Sequence, residues 1–323
     1  MKPKILITYR IPREGLRELE EKFDVIYPEK EEFELSDIEQ LITDCDAVLS
    51  VFVRPVTAEL IARAPKLKII ANFGVGYNNI DVAEATRRRI AVCNTPNAVT
   101  EPTAEMAFGL MLAVMRRINE TDHGLRTNPD FKWGMMRNLG SGLTGKTLGI
   151  IGMGRIGRAL ARRAVASGMT IIYNNRNRLA KSLEKPFEAK FVSLNDLLER
   201  SDVISVNTPL TDETRHLLSE KEMQKMKDGV FVVNTARGPV IDEKMLVKYL
   251  QSGKIAGAGL DVFEEEPKIT EELFGMEQVV LTPHNATGTI ETRIETAREA
   301  SQNIIDFFSG RRDISIVNPE IFD

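Results

Sequence analysis

Three short apolar runs in the second half of the chain each end on groups able to handle protons or anions. Val230-Phe231-Val232-Val233 leads into Asn234-Thr235-Ala236-Arg237-Gly238, and Gly257-Ala258-Gly259-Leu260 leads into Asp261-Val262-Phe263-Glu264-Glu265-Glu266-Pro267. Val279-Val280-Leu281 leads into Thr282-Pro283-His284. An imidazole exchanges a proton near neutral pH, and a guanidinium grips paired oxygens through a planar fork. Upstream, Thr147-Leu148-Gly149-Ile150-Ile151 runs into Gly152-Met153-Gly154-Arg155-Ile156-Gly157, followed by a helical stretch from Arg158 to Ser167. In that strand, loop and helix context Gly152 permits a tight turn, Gly154 lets main chain approach a pyrophosphate, and Gly157 lets helix and strand pack closely. The helix N-terminus offers N–H groups and partial positive charge to the phosphates. Plainer alternatives stand beside each reading: an ordinary turn for the glycines, a surface ion pair for Arg237, a packed histidine for His284, and a solvated loop for the glutamate run.

Ligands of an open α/β sheet bind beyond the C-terminal ends of its strands, so these groups act together only if the runs are parallel strands of one sheet. Short β-rich runs alternating with amphipathic helical stretches give that pattern throughout. A first series has strands at 5–7, 47–49, 68–71 and 90–92, with Ser36-Asp37-Ile38-Glu39 and Asp81-Val82-Ala83-Glu84 as helix starts. A second has six, at 147–151, 170–173, 203–206, 230–233, 258–260 and 279–281. Between them the pattern predicts one helix from Glu101 to Arg126, capped by Thr100, about 25 residues and about 38 Å long and so able to run from one domain to the other. A last helix, Thr289 to Phe308, is placed as crossing back to the first domain. The expected fold is α/β with two doubly wound parallel-sheet domains, a Rossmann dinucleotide-binding domain inserted into a flavodoxin-like substrate domain. The boundaries are 1–99 with 289–323 for the discontinuous substrate-binding domain and 100–288 for the dinucleotide-binding domain.

Composition narrows the function. Lys plus Arg is 43 against 47 for Asp plus Glu, a net charge of −4, which argues against a chain held mainly by nucleic acid or anionic lipid. No run reaches the ~18 apolar residues of a bilayer span, and the N-terminal run is too short for a signal-peptide core, so a cytoplasmic protein with no membrane partner is expected. Cys45 and Cys93 form no CxxC pair, which fits a reducing compartment, and with three histidines (His123, His216, His284) leaves almost no ligands for a metal site. His123 and His216 lack strand-end context and read as structural or surface residues.

An NAD site carries an Asp or Glu about 20 residues past the glycine loop, on the ribose diol. Here Met169-Thr170-Ile171-Ile172-Tyr173 ends instead in Asn174-Asn175-Arg176-Asn177-Arg178. Two guanidinium groups where a carboxylate would repel a 2′-phosphate point to NADP(H), with NAD still possible. Asn175 is then beside the ribose and Arg176 and Arg178 are on the phosphate; a solvated basic turn is the alternative.

The chain resembles the D-isomer-specific 2-hydroxyacid dehydrogenase family over essentially its full length. The resemblance lies in Gly74-Val75-Gly76, the glycine loop, Asn234-Thr235-Ala236-Arg237-Gly238, Asp261-Val262-Phe263 through Glu266-Pro267, and Thr282-Pro283-His284, in family order. It implies a reductase of small 2-oxo acids, such as glyoxylate or hydroxypyruvate, or the reverse oxidation of D-2-hydroxy acids. Arg237 would hold the substrate carboxylate and carbonyl, His284 would be the acid/base, and Glu266, chosen over Glu264 and Glu265 only by the resemblance, would support His284. Val75 and Gly76 would seat the substrate carboxylate, and Asp261 would contact the nicotinamide carboxamide. Gly152 through Gly157, Thr103, Thr208, Pro209, Thr235 and Ala236 complete the implied cofactor set, and a homodimer is implied. Pocket walls would come from Ser50 to Arg54, including Phe52, from Phe73 to Tyr77, and from the Trp133 region. Where the family often has an acidic residue after the Val-Gly pair, this chain has Tyr77-Asn78-Asn79. Phosphite-type dehydrogenases and nucleotide-sensing corepressors share the scaffold and remain open alternatives.

Overall fold

The computed structural model describes residues 2–51 and 54–323, so Phe52, expected as a pocket wall, lies outside the described residues. The chain divides into two compact units, Met1–Val99 with Thr287–Asp323, and Thr100–Ala286.

The first unit is built on five parallel strands: β1 (Lys4–Ile7), β2 (Asp24–Ile26), β3 (Ala47–Val51), β4 (Ile69–Phe73) and β5 (Ala91–Cys93). Their order, β2-β1-β3-β4-β5, is the flavodoxin-like one. Every residue of β3, β4 and β5 is buried, as expected of parallel strands covered by helices on both faces. β2 has no counterpart among the expected strands because Asp24 is exposed and Val25 and Ile26 are only half-buried, which leaves too little apolar signal in three residues. The helix Ile290–Phe308 belongs to this unit. Thr289 caps it by accepting the Thr292 N–H, and Ala297, Ala300, Ile304 and Ile305 pack into a core with Ile5, Ile7, Leu49, Ile69 and Phe73. Asp81 caps its helix through the Glu84 N–H at 2.9 Å. Ser36 does not cap: the helix Leu35–Leu41 begins one residue before it, with Glu34 at the N-cap and no side-chain cap bond.

The second unit holds seven parallel strands: β6 (Thr147–Ile151), β7 (Thr170–Asn174), β8 (Lys190–Phe191), β9 (Val203–Val206), β10 (Val230–Asn234), β11 (Ile255–Leu260) and β12 (Val279–Leu281). They lie in the order β12-β11-β10-β9-β6-β7-β8. This is the Rossmann arrangement with one further strand at the β12 edge, and its order reverses between β6 and β9, where such sheets bind dinucleotides. The two exposed residues of β8, at the far edge, carry almost no apolar signal in the sequence.

The helix expected over 101–126 is two helices, Thr100–Met115 and Ile118–Thr127, both within this unit rather than spanning two. The break has a tertiary cause. The Ser141 N–H takes the Met115 carbonyl at 2.7 Å, and Gly140 lies so close that a Cβ there would sit 2.5 Å from the same oxygen. Arg117 then turns left-handed at φ +54 and pairs with Glu120 to start the next helix.

Candidate active site

The glycine loop sits where β6 hands over to the helix Arg155–Ala166. Gly152 adopts φ +96, and a Cβ on it would lie 2.7 Å from the Asn207 carbonyl carbon, so the turn admits only glycine. A Cβ on Gly157 would meet the Gly152 carbonyl oxygen at 2.5 Å. A Cβ on Gly154 would meet nothing, and Gly154 is the N-cap of a twelve-residue helix with no side-chain cap. Open space thus faces the positive end of a helix, as a pyrophosphate requires. Asn175 closes the loop from β7, its Oδ1 accepting the Met153 N–H at 2.7 Å, while the Met153 side chain is buried in the core.

Two further observations fit a polar group at this sheet edge. Asn207 Oδ1, just beyond β9, and Thr235 Oγ1, just beyond β10, are buried without a hydrogen-bond partner among the described residues. Such atoms normally find one. Thr208 and the exposed Pro209 follow Asn207, and Thr103 is buried on the helix Thr100–Met115. Among the described residues no group of three or more His, Cys, Asp or Glu is placed to hold a metal.

At the adenosine end, Arg176 is exposed. Arg178 is not open in the way expected of it. Its Nε and Nη2 pair with Glu184 at 2.8 and 2.9 Å, and the buried Tyr173 hydroxyl donates to the same carboxylate at 2.6 Å. These bonds hold Glu184 down at about 2 and leave Arg178 one Nη edge for a phosphate.

Beyond β10, Asn234 shapes the next turn. Its Oδ1 accepts the Ala236 N–H and its Nδ2 donates to the Arg237 carbonyl, both at 3.0 Å. Gly238 then packs directly on the loop after β11, where a Cβ would lie 1.8 Å from the Phe263 carbonyl oxygen. This close approach sets Arg237 near Glu266. Burial pushes the Arg237 guanidinium down from its ordinary value, and the charge of Glu266 opposes that. Among the described residues Arg237 forms no ion pair, and its Nη1 donates only to the adjacent Ala236 carbonyl at 2.6 Å. A partly desolvated cation in this state is a site for an anion.

His284 follows β12 in a left-handed conformation, φ +47, with its N–H donated to Asp261 O at 2.8 Å and Thr282 O at 3.0 Å. Its Nδ1 lies 2.7 Å from Glu266 Oε2, while Glu266 Oε1 accepts the Phe263 N–H at 3.0 Å. Burial raises the Glu266 carboxyl, but His284, the Phe263 N–H and Arg237 together hold it below the usual carboxylate range. Asp261 is 0% exposed, and its oxygens accept from Thr282 Oγ1 at 2.6 Å, Asn285 N at 3.0 Å and Ala286 N at 2.9 Å. The carboxylate thereby fixes the His284 segment. The sequence carries no local sign of the parts played by Thr282 or Glu184, because each acts on a partner from another segment or turn, whereas Asn234 bonds main chain two and three residues on, as a turn-forming Asn does.

In the first unit, Val75 and Gly76 follow β4 in a turn tied by Asn72, whose Nδ2 donates to Gly74 O at 3.1 Å and Gly76 O at 2.8 Å. Asn94 Nδ2 donates to Val75 O at 2.8 Å. Arg54, at the end of the segment expected to line the pocket, pairs with Glu32 at 2.6 Å.

Comparison with known proteins agrees with this architecture. Residues 108–286 match the family model for the D-isomer specific 2-hydroxyacid dehydrogenase, NAD binding domain. The chain is 44% identical to a glyoxylate reductase of Thermococcus litoralis across 99% of this chain and 98% of that protein. Among solved structures it resembles a glyoxylate reductase from Paecilomyes thermophila, with a TM-score of 0.90 and 38% identity over 99% of each chain. It also resembles an NADPH-dependent glyoxylate/hydroxypyruvate reductase from Sinorhizobium meliloti, solved with NADP and malonate, with a TM-score of 0.87 and 31% identity over 99% of this chain and 98% of that one. With two parallel sheets, a glycine loop at the switch point and relatives matched from end to end, this chain belongs to the D-isomer specific 2-hydroxyacid dehydrogenase family.

Proposed function

We propose that this protein reduces glyoxylate and related small 2-oxo acids to 2-hydroxy acids with NADPH. The observation that carries the reading is the His284 to Glu266 contact beside a half-buried Arg237 that forms no ion pair among the described residues. When bound, the nicotinamide supplies the hydride to the carbonyl carbon. Arg237 binds the substrate carboxylate through its fork and draws charge toward the carbonyl oxygen. His284 uses Nδ1 to meet Glu266, so Nε2 is the atom that passes a proton to the developing alkoxide. The Glu266 carboxylate, 2.7 Å from Nδ1, fixes the orientation of the ring so that Nε2 is left for the substrate oxygen.

Preference for NADPH is supported by the absence of a carboxylate at the end of β7 and by the exposed Arg176. Arg178, anchored by Glu184, offers its remaining Nη edge to the same phosphate. The helix start at Gly154 takes the pyrophosphate, with Arg155, Ile156 and Gly157 in its first turn and Thr208, Pro209, Thr235 and Ala236 along the strand ends. A homodimer is supported by the apolar stretch that the second unit exposes, where Trp133, Met135 and Met136 are 80%, 96% and 82% accessible. No described helix is long and apolar enough to cross a membrane, and a cytoplasmic location fits the two unpaired, buried cysteines.

The test is a panel of 2-oxo acids, namely glyoxylate, hydroxypyruvate and pyruvate, assayed with NADPH and NADH. Saturable NADPH oxidation with glyoxylate or hydroxypyruvate is expected, and equal or better use of NADH would remove the cofactor assignment.

A further inference from the structure

His216 looks from the sequence like a surface or packing residue, yet its ring is built into the structure around Glu266. Its Nε2 lies 2.6 Å from Glu264 Oε1. The other oxygen of Glu264 accepts the Glu243 N–H at 3.1 Å, and the Glu264 N–H returns a bond to Glu243 Oε2 at 2.9 Å. Glu243 is buried at the first residue of the helix Glu243–Gln251, and its Oε1 accepts both the N–H of Thr270, at 3.3 Å, and the Thr270 hydroxyl. The segment containing Glu266 is therefore tied at Glu264 and again at Thr270 to one buried carboxylate.

The same stretch grips the Arg237 turn by main chain. The His216 N–H donates to Pro239 O at 2.8 Å, and the Leu218 N–H to Val240 O at 3.1 Å. His216 is held at φ +50, a conformation that a residue with a Cβ keeps only when its surroundings impose it. Three consecutive glutamates repel one another and tend toward solvent. Here Glu264 is drawn inward by His216, Glu265 stays exposed, and Glu266 is left aimed at His284.

We propose that His216 and Glu264 are positioning residues, locking the Glu266 segment and the Arg237 turn in one register so that Glu266 meets His284 at hydrogen-bond distance. This inference rests on the roles given to Arg237, Glu266 and His284 above. It is tested with His216→Ala, Glu264→Ala, and the conservative His216→Gln and Glu264→Gln, the full-length protein being assayed with glyoxylate and NADPH. Each alanine variant is expected to lose about 10-fold in kcat, within the ~10²-fold that a 1 Å misplacement produces. The KM for NADPH should stay unchanged and the pH profile of kcat should move. His216→Gln, which keeps a donor within reach of Glu264, should recover most of the loss. Wild-type kcat and pH profile in all four, with only a lower melting temperature, would overturn the proposal and leave the network purely structural. If the alanine variants do not fold, Glu264→Gln decides: its amide replaces one of the two oxygens that meet His216 and the Glu243 N–H, so kcat should fall and the pH profile move, and wild-type values would overturn the proposal. An inactive wild type would instead refute the functional reading. The positioning claim would then be read from crystal structures of the variants, where a Glu266 to His284 separation beyond hydrogen-bond range is expected and an unchanged contact would overturn it.

Discussion

Glu266 Oε2 and His284 Nδ1 lie 2.7 Å apart, although eighteen residues and an entire strand separate them in the chain. The pair forms because two neighbouring parallel strands, β11 and β12, end side by side. Asp261, at the end of β11, takes the main chain of the His284 segment. Glu266, five residues on, turns back to its ring.

The pair predicts an ordered loss of activity. His284→Ala should lower kcat by at least ~10², the contribution of a positioned proton donor. Glu266→Gln keeps a hydrogen-bond acceptor beside Nδ1 but removes the charge, so it should lower kcat by less and alter the pH profile. Steady-state kinetics across pH separates the two, and near-normal turnover by His284→Ala would remove that residue from the mechanism.

Arg237→Lys keeps the charge and loses the fork. A point charge cannot engage carboxylate and carbonyl together, so kcat/KM for the 2-oxo acid should fall by about 10²-fold. The KM for NADPH should not change. Wild-type efficiency in this variant would show that the guanidinium does not bind substrate.

Gly238→Ala tests the contact that brings Arg237 and Glu266 together. A Cβ placed 1.8 Å from the Phe263 carbonyl oxygen forces main chain apart, and the expected loss is about 1–3 kcal/mol of stability together with activity. Calorimetry and initial rates on the same preparation check both, and an unperturbed variant would contradict the close packing.

The Arg178, Glu184 and Tyr173 cluster predicts both pH-dependent stability and cofactor choice. Glu184 ordinarily titrates near 4.5 and is held at about 2 by Arg178 and Tyr173. A depressed carboxylate contributes stability that is complete above its unfolded value and is lost as pH falls through the folded one. The melting temperatures of wild type and Glu184→Gln should therefore differ at neutral pH and converge as pH falls from about 4.5 toward 2. In the same assays Arg176→Ala should lower kcat/KM for NADPH and spare NADH. Equal loss with both cofactors would place Arg176 away from the 2′-phosphate.

Much of the fold is legible in the sequence because parallel strands buried on both faces read as unbroken apolar runs. Ala47–Val51 and Val230–Val233 announce themselves in this way. β2 and β8 do not, being short, half-polar and at sheet edges. The helix break at Arg117 is invisible locally because it depends on Ser141, twenty-four residues away, capturing the Met115 carbonyl. In the site, Arg237 and His284 stand out as polar groups just past strand ends, but no local rule separates Glu266 from Glu264 and Glu265. The structure distinguishes them by partner: Glu264 faces His216, Glu266 faces His284, and Glu265 is exposed. Arg178 shows the converse difficulty, since its commitment to Glu184 depends on how the turn after β7 folds back over Tyr173.

Reduction of a small 2-oxo acid with His284 as the proton donor is the proposal that one comparison tests. The most direct measurement is the initial rate of NADPH oxidation with glyoxylate by wild type and His284→Ala side by side. Saturable turnover by the wild type, reduced at least ~10²-fold in the variant, is the predicted result. A flat wild-type trace with glyoxylate, hydroxypyruvate and pyruvate, or equal rates from the two proteins, would contradict it.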